Sequence, residues 1–288
     1  MSSKIIFSAG AMLLLFSYSN CTKLEPSSSI TPSVGIAQDR TTPLEFAATA
    51  GTSHNAGLEN IRLTFDFSQS FASNTARADS LLSNLCNFFD ATQALNFATG
   101  YQSFARDSMA AAINQNIYGS TAKILTRLAS IRNASVVTNN LSTSELNFLD
   151  SLTVFFSTNI SGLTKSQVCV LTYNKSTSLL TAFNQITWGS GQGTLACGAL
   201  HTLKSTSLYW ASRNPSGFIG FTGDPNDVLT GGQAWIILQA DCIGYIVGWA
   251  SALIDDSNHG GVTPEGQDRR IQQGFNSAAG YSASVSFF

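Results

Sequence analysis

The sequence predicts an all-α fold, in which a single multi-helix domain follows a disordered tether and ends in a closely packed helical hairpin. Apolar residues recur three and four positions apart through most of the chain, which is the spacing of one helix face. The last two such segments also carry small residues at intervals of four, which favours close helix packing. Strand-like alternation is confined to residues 61–67, where a helix explains the pattern almost as well.

The first 20 residues have the anatomy of a secretory signal peptide. Lys4 precedes a short apolar run over residues 5–16, and small and polar residues follow it up to Asn20. A basic start, an apolar centre and a compact exit are typical of an export signal. The run is well below the roughly 20 apolar residues that a membrane-spanning helix needs. We therefore expect an exported protein.

Cys21 stands directly after this signal, and lipidation there would tether the mature protein to a bilayer. The alternative is ordinary cleavage nearby, with Cys21 a spare thiol. Residues 21–50 hold Pro26, Pro32 and Pro43 in a Ser/Thr-rich background, which indicates a flexible tether. The prediction is a lipid anchor at the outer membrane or periplasmic face, a tether to residue 50, and a helical domain over residues 51–288.

Helical spacing dominates from Asn55 onward. The predicted segments are 76–95, 104–131 with a break at 119–121, 142–156, 163–183 with a break near Asn174, and 195–210, followed by a loop over 214–227. The clearest helix start is at Ser142, because Glu145 lies three positions later and can complete a capping box.

The C-terminal segments are predicted to form the hairpin. Residues 233–254 contain small residues four positions apart, and the helix that begins near Pro264 repeats the spacing. The small residues are Gly244, Gly248 and Ala252 in the first helix, and Gly274, Ala278 and Ser282 in the second. Such a row lets a partner backbone approach closely.

Asp241 decides whether the first hairpin helix belongs in a membrane or in a protein core. An aspartate near the centre of a membrane span costs about 2.5–3.5 kcal/mol even on the lenient insertion scale. The second helix carries Asp268, Arg269 and Arg270 and is too polar to span. We therefore expect a buried pair, with Asp241 bonded to a neighbouring helix terminus or hydroxyl.

Two short motifs stand near the two ends of the predicted domain. They are His54-Asn55-x-Gly57-Leu58 and Ala240-Asp241-x-x-Gly244-x-x-x-Gly248. This pairing resembles a group of uncharacterised Bacteroidota lipoproteins, which have a histidine–asparagine pair soon after the tether and an Ala-Asp segment leading a small-residue helix. The resemblance covers only the two ends and implies no activity. It implies one domain whose ends pack together, with His54 or Asn55 bonding the hairpin near Asp241.

The amino-acid composition limits the classes of partner that the protein is expected to bind. Charged residues make up 11% of the chain, against roughly 25% in average soluble proteins, and the formal net charge is −2. Without a basic excess, nucleic-acid binding lacks its main driving force. The expected partners are a membrane, through the lipid anchor, and a protein or glycan that the sequence does not identify.

The predicted export places the cysteines in an oxidising compartment. If Cys21 is lipidated, Cys86, Cys169, Cys197 and Cys242 remain, and an even number permits three pairings. One or two disulfides are expected, and four buried free thiols are the alternative.

No catalytic, cofactor or metal motif is evident in the sequence. It has three histidines and lacks paired-histidine zinc spacing, a phosphate loop and a nucleophile elbow. The leading hypothesis is a non-enzymatic envelope protein that acts in binding or as a structural component. The alternatives are a membrane-active or antagonistic protein that inserts its hairpin, and a hydrolase with dispersed carboxylates.

Overall fold

Helices form all the regular structure in the part of the chain that the computed structural model describes, namely residues 42–66, 68–93, 119–138, 141–213, 229–258 and 264–287. They are α1 (Pro43–Ala48), α2 (Ala50–Thr64), α3 (Asn74–Gln93), α4 (Thr121–Thr138), α5 (Thr143–Phe156), α6 (Lys165–Phe183), α7 (Thr194–Ser212), α8 (Gly231–Asn258) and α9 (Pro264–Phe287). The all-α prediction is confirmed. The predicted signal peptide, Cys21, most of the tether, the predicted helix before the break at 119–121 and the loop at 214–227 lie outside these residues.

Helix α1 lies inside the segment predicted to be tether, so the folded part begins before residue 51. Thr42 caps it, because its side-chain oxygen accepts a hydrogen bond from the backbone N–H of Glu45 at 3.2 Å. Phe46 is buried and meets Phe275 of α9 edge-to-face, with ring centroids 5.7 Å apart. The Thr42 cap and the contact of Phe46 with Phe275 stabilise this short helix on the domain. Pro and Ser/Thr content alone does not predict either interaction.

The capping box at Ser142 and Glu145 is confirmed, and Glu145 has a second role. Its Oε2 accepts from the backbone N–H of Ser142 at 3.0 Å, while Oε1 accepts from the backbone N–H of Gly193 at 2.9 Å. Gly193 is the N-cap of α7, has φ of +82° and offers no side chain for capping. A single buried carboxylate therefore satisfies the N-termini of two helices.

Helix α6 runs without the predicted break near Asn174. It starts at a capping box formed by Thr164 and Gln167 and continues to Phe183. The polar residues around Asn174 bond their own helix: the hydroxyl of Thr172 donates to the carbonyl of Val168 at 2.8 Å. Buried hydroxyls that are satisfied within the helix let it continue through a polar stretch.

Helix α8 is the central helix of the domain and packs against α4, α6, α7 and α9. Residues 237–249 are all buried, as expected of a helix that is apolar on every side. Within the described residues, Gly231–Leu253 is the one helical stretch long and apolar enough to cross a membrane, and 83% of its most apolar window is buried in the protein. Its buried Gln239 accepts from Thr121 at 2.9 Å and donates to the carbonyl of Phe156 at 3.2 Å.

Helices α8 and α9 form the predicted hairpin, and their contact is the most extensive in the domain. A Cβ atom on Gly244 would lie 2.7 Å from the Tyr281 ring and 2.9 Å from Cα of Ala278. One on Gly248 would overlap the carbonyl oxygen of Gln273. The glycines are therefore required by the close approach of the two backbones, and the prediction of a closely packed hairpin is confirmed.

Gly274, the glycine predicted to lie at the hairpin contact in α9, makes room for the ring of Tyr245. A Cβ on Gly274 would lie 2.5 Å from the Tyr245 ring, and one on Gly198 of α7 would overlap the other side of that ring. The Tyr245 hydroxyl donates to the carbonyl of Thr194 at 3.2 Å. Two glycines from different helices thus enclose one aromatic side chain and bring α7, α8 and α9 together.

Candidate functional site

The residues predicted to join the two ends of the domain meet in its interior. We call His54, Asn55, Thr206, Trp210 and Asp241 the His–Asp cluster. His54 and Asn55 lie on α2, Thr206 and Trp210 on α7, and Asp241 on α8. The cluster therefore spans three helices that are far apart in the sequence.

His54 and Asp241 approach each other as predicted. The Nε2 atom of His54 lies 3.7 Å from Oδ1 of Asp241, and both side chains are fully buried. This separation is within ion-pair range and beyond ordinary hydrogen-bond length. Neither of these two atoms has a hydrogen-bond partner. Within the described part of the chain, the contact between these two atoms is therefore an ion-pair contact without a hydrogen bond.

Asn55 bonds α7 rather than the hairpin. Its Nδ2 donates to the backbone carbonyl of Ser205 at 3.1 Å, and its Oδ1 lies 2.9 Å from Nδ1 of His54. Asn55 therefore fixes the orientation of the imidazole and at the same time fastens α2 to α7. The prediction that His54 or Asn55 reaches Asp241 is met by His54 alone.

Asp241 has the hydroxyl partner that the sequence predicts. Its Oδ2 accepts a short hydrogen bond from the hydroxyl of Thr206 and a second, at 3.2 Å, from Nε1 of Trp210. Both donors lie on α7, four residues apart, and so on one helix face. Sequence reasoning did not identify them, because nothing local marks which of the Ser, Thr and Trp residues of α7 faces α8.

Burial decides what the cluster can do chemically. His54, Thr206 and Asp241 are each 0% exposed and Trp210 is 1% exposed, so a substrate cannot reach them in this conformation. Groups of three His, Cys, Asp or Glu residues able to hold a metal ion do not occur in the described parts of the chain. The arrangement suits fastening three helices together, as a buried polar network whose members depend on one another.

A second polar contact extends the joint between α2 and α7 to the surface. Glu59 accepts from the Tyr209 hydroxyl at 3.2 Å and pairs with Arg213 at 3.1 Å and with Arg62. Partial burial works to raise the pKa of Glu59, but the Arg62 hydrogen bond and the charges of Arg213 and Arg62 bring that pKa below its usual value. This contact therefore favours the folded state at neutral pH and is lost as the pH falls through the lowered pKa.

The prediction of disulfides is wrong for the three cysteines that can be described. Cys169, Cys197 and Cys242 are buried free thiols, and the side chain of Cys86 lies outside the described set. The thiol of Cys197 donates to the carbonyl oxygen of Leu44 at 3.5 Å. Burial raises the pKa of Cys169 to about 11 and of Cys197 to about 12, and it raises the pKa of Cys242 further.

We expect these three thiols to be unreactive in the folded protein. In a variant with Cys21→Ser and Cys86→Ser, a thiol reagent at neutral pH should modify none of them before denaturation and all of them afterwards. The reason is that the thiolate is the nucleophile and burial disfavours it. Rapid reaction of the native protein, or recovery of only one thiol after denaturation, would contradict the structure.

An open apolar cleft of about 190 Å³ lies between α5, α6 and the start of α7. Its lining is Ser144, Asn147, Phe148, Ser151, Leu179, Ala182, Phe183, Ile186, Trp188, Ala196 and Leu200. Trp188 stacks on Phe183 with ring centroids 4.8 Å apart, and its Nε1 donates to the Phe183 carbonyl at 3.3 Å. One wall of the cleft is thereby fixed, and the polar groups of the lining are hydroxyls and an amide.

The domain thus has two candidate sites. One is the buried His–Asp cluster, which joins the ends of the domain, and the other is the uncharged cleft, which is open to solvent. The chain matches no family model, no curated protein and no solved structure.

Proposed function

We propose that the protein is a lipid-anchored component of the cell envelope, held at the outer membrane or periplasmic face through Cys21. Its helical domain acts in binding or as a structural component, without catalysis. The export-like residues 1–20, the cysteine that follows them and the resemblance to Bacteroidota lipoproteins support the location.

One structural observation supports the non-enzymatic role. Two described residues capable of acid–base chemistry, His54 and Asp241, are fully buried and join helices to one another. A general acid or base must come within hydrogen-bond reach of its substrate, which their position prevents. The open cleft instead offers apolar and neutral polar groups, which suit recognition of an uncharged partner surface.

Metabolic labelling with palmitate tests the proposed anchor. In a bacterial host that processes lipoproteins, the wild-type chain should carry the label and sediment with membranes. The Cys21→Ser variant should lose the label and become soluble, because the acyl chains supply the membrane affinity. A matched Cys86→Ser variant should keep the label. An unprocessed, unlabelled wild-type chain in the soluble cell interior would contradict the proposal.

The membrane-active alternative has one observation in its favour, since Gly231–Leu253 is long and apolar enough to span a bilayer. Insertion would require α8 to leave its buried hydrogen bonds from Gln239 and Tyr245. Release of dye from liposomes at neutral and acid pH separates the two ideas, because a structural component should cause none.

The hydrolase alternative requires a cleft that holds two facing carboxylates. The cleft between α5, α6 and α7 has no carboxylate in its lining. A screen against ester, peptide and glycoside substrates tests this alternative directly, and turnover that survives repurification would favour it over the binding role.

A further inference from the structure

The hydrogen bonds of Asn55 establish where one imidazole proton of His54 resides. The carbonyl oxygen of Ser205 can only accept, so the atom of Asn55 that meets it must be the amide nitrogen. The other end of the amide, Oδ1, then faces Nδ1 of His54 at 2.9 Å and can only accept. Nδ1 of His54 therefore carries a proton.

The hydrogen bonds of Asp241 establish which of its oxygens faces His54. The indole nitrogen of Trp210 is a donor only, and it lies 3.2 Å from Oδ2. The hydroxyl of Thr206 bonds the same oxygen. Oδ2 is therefore occupied as an acceptor, and Oδ1 is left facing Nε2 of His54 at 3.7 Å.

The number of protons between these two facing atoms follows from charge. With none, two lone pairs would face each other and a carboxylate would be buried without a counter-charge. With two, a buried imidazolium would face a neutral acid and carry an uncompensated positive charge. With one, the pair is neutral overall, either as imidazolium and carboxylate or as imidazole and carboxylic acid.

We infer that Nε2 of His54 and Oδ1 of Asp241, which lie 3.7 Å apart without a direct hydrogen bond, carry one proton in total, so that the joint between α2 and α8 is a neutral pair. The acidic group of Asp241 is tolerated in the interior only because His54 is present, whereas a neutral His54 does not need the charge of Asp241. Loss of His54 alone is therefore strongly destabilising. The inference does not depend on the proposed membrane anchor.

The Asp241→Asn variant separates this idea from simple packing. Its side-chain oxygen must still accept from Trp210, which directs the new amide nitrogen at Nε2 of His54. His54 then becomes neutral, with Nδ1 protonated and Nε2 accepting. The folding equilibrium constant of this variant should stay within about tenfold of the wild-type value, since only the charge-assisted part of the interaction is lost.

The His54→Gln variant should behave very differently. It leaves a buried Asp241 without the imidazole that makes the pair neutral, so the folding equilibrium constant should fall by about 100- to 1,000-fold. The double variant His54→Gln/Asp241→Asn removes the charge and should recover at least about tenfold. The matched control His201→Gln, at a half-buried position of α7, should change the constant by no more than about threefold.

Nitrogen-15 NMR of the imidazoles and equilibrium unfolding together provide the test. In the wild type, the Nδ1 of His54 should be protonated, and in Asp241→Asn the Nε2 should take the shift of an unprotonated acceptor. Carbon-13 NMR of the Asp241 carboxyl completes the count, and the inference is overturned if the wild type combines an unprotonated Nε2 with an ionised Asp241 carboxyl, if Nδ1 is unprotonated, or if the double variant is no more stable than His54→Gln. Should His54→Gln fail to fold, the imidazole and carboxyl shifts of the wild type still decide the matter.

Discussion

Gly248→Ala is expected to lower the free energy of unfolding by about 2–3 kcal/mol, despite the higher helix propensity of alanine. The added Cβ would overlap the carbonyl oxygen of Gln273 and lie 2.6 Å from Cβ of Ser277. The obstacle is backbone, which no side-chain rotation can move aside, so α8 and α9 must separate. Denaturant unfolding measures the loss directly, and thermal unfolding should show a fall in Tm of about 5–10 °C.

Gly232→Ala is the matched control, because it makes the same substitution on the same helix. A Cβ on Gly232 would meet its nearest neighbour, Oγ1 of Thr230, only at 3.9 Å. Gly232 is also exposed, so this variant should be neutral or slightly more stable than the wild type. Equal destabilisation by the two substitutions would show that close packing of the hairpin is not what requires glycine at position 248.

The hairpin was predictable because its cause is local. Small residues four positions apart lie on one helix face, and such a face allows the backbone of another helix to pack closely against it. Gly244 and Gly248 could therefore be assigned a role without a structure. The side chain that packs against Gly274 could not be predicted in the same way. Tyr245 lies between Gly274 and Gly198, and Gly198 is on α7, whose position the sequence does not specify.

The His–Asp cluster was predictable in part. The contact between His54 and Asp241 was an expectation that rested on the resemblance pairing the two motifs, while the need of a buried carboxylate for partners follows from physics. Thr206 and Trp210 could not be chosen in advance, because the partner of Asp241 depends on the rotation of α7 about its axis. That rotation is set by tertiary packing, including the contact of Asn55 with the Ser205 carbonyl.

The errors have a common physical origin. The break near Asn174, the tether over Pro43–Ala48 and the disulfides were each inferred from residue type. In each case burial overrode that preference: Phe46 anchors α1, buried Thr172 bonds within α6, and the thiol of Cys242 fills space in the core. Burial is a property of the assembled helices, which explains why composition alone misjudged these segments.

Trp210→Ala is expected to have the largest effect of any single truncation in the His–Asp cluster, at about 3–5 kcal/mol. Trp210 is the largest fully buried side chain described, and its removal leaves a cavity beside Tyr209, whose ring lies 5.2 Å away. It also deletes the N–H that donates to Oδ2 of Asp241, which is then left with one donor, Thr206. Equilibrium unfolding in urea, followed by circular dichroism, measures the sum of the two losses.

Trp210→Phe separates the hydrogen bond from the packing. Phenylalanine keeps an aromatic ring but has no N–H donor. The expected loss of about 2 kcal/mol in the free energy of unfolding should therefore report chiefly the lost hydrogen bond to the carboxyl group of Asp241. Combining Trp210→Phe with Asp241→Asn should then cost less than the sum of the two single changes, because both weaken the same interaction. The control Leu208→Ala, on the same helix at a side chain that is 40% exposed, should change stability by only about 0.5 kcal/mol. Strict additivity of Trp210→Phe and Asp241→Asn would mean that the indole stabilises α7 by packing alone and has no part in holding the buried aspartate.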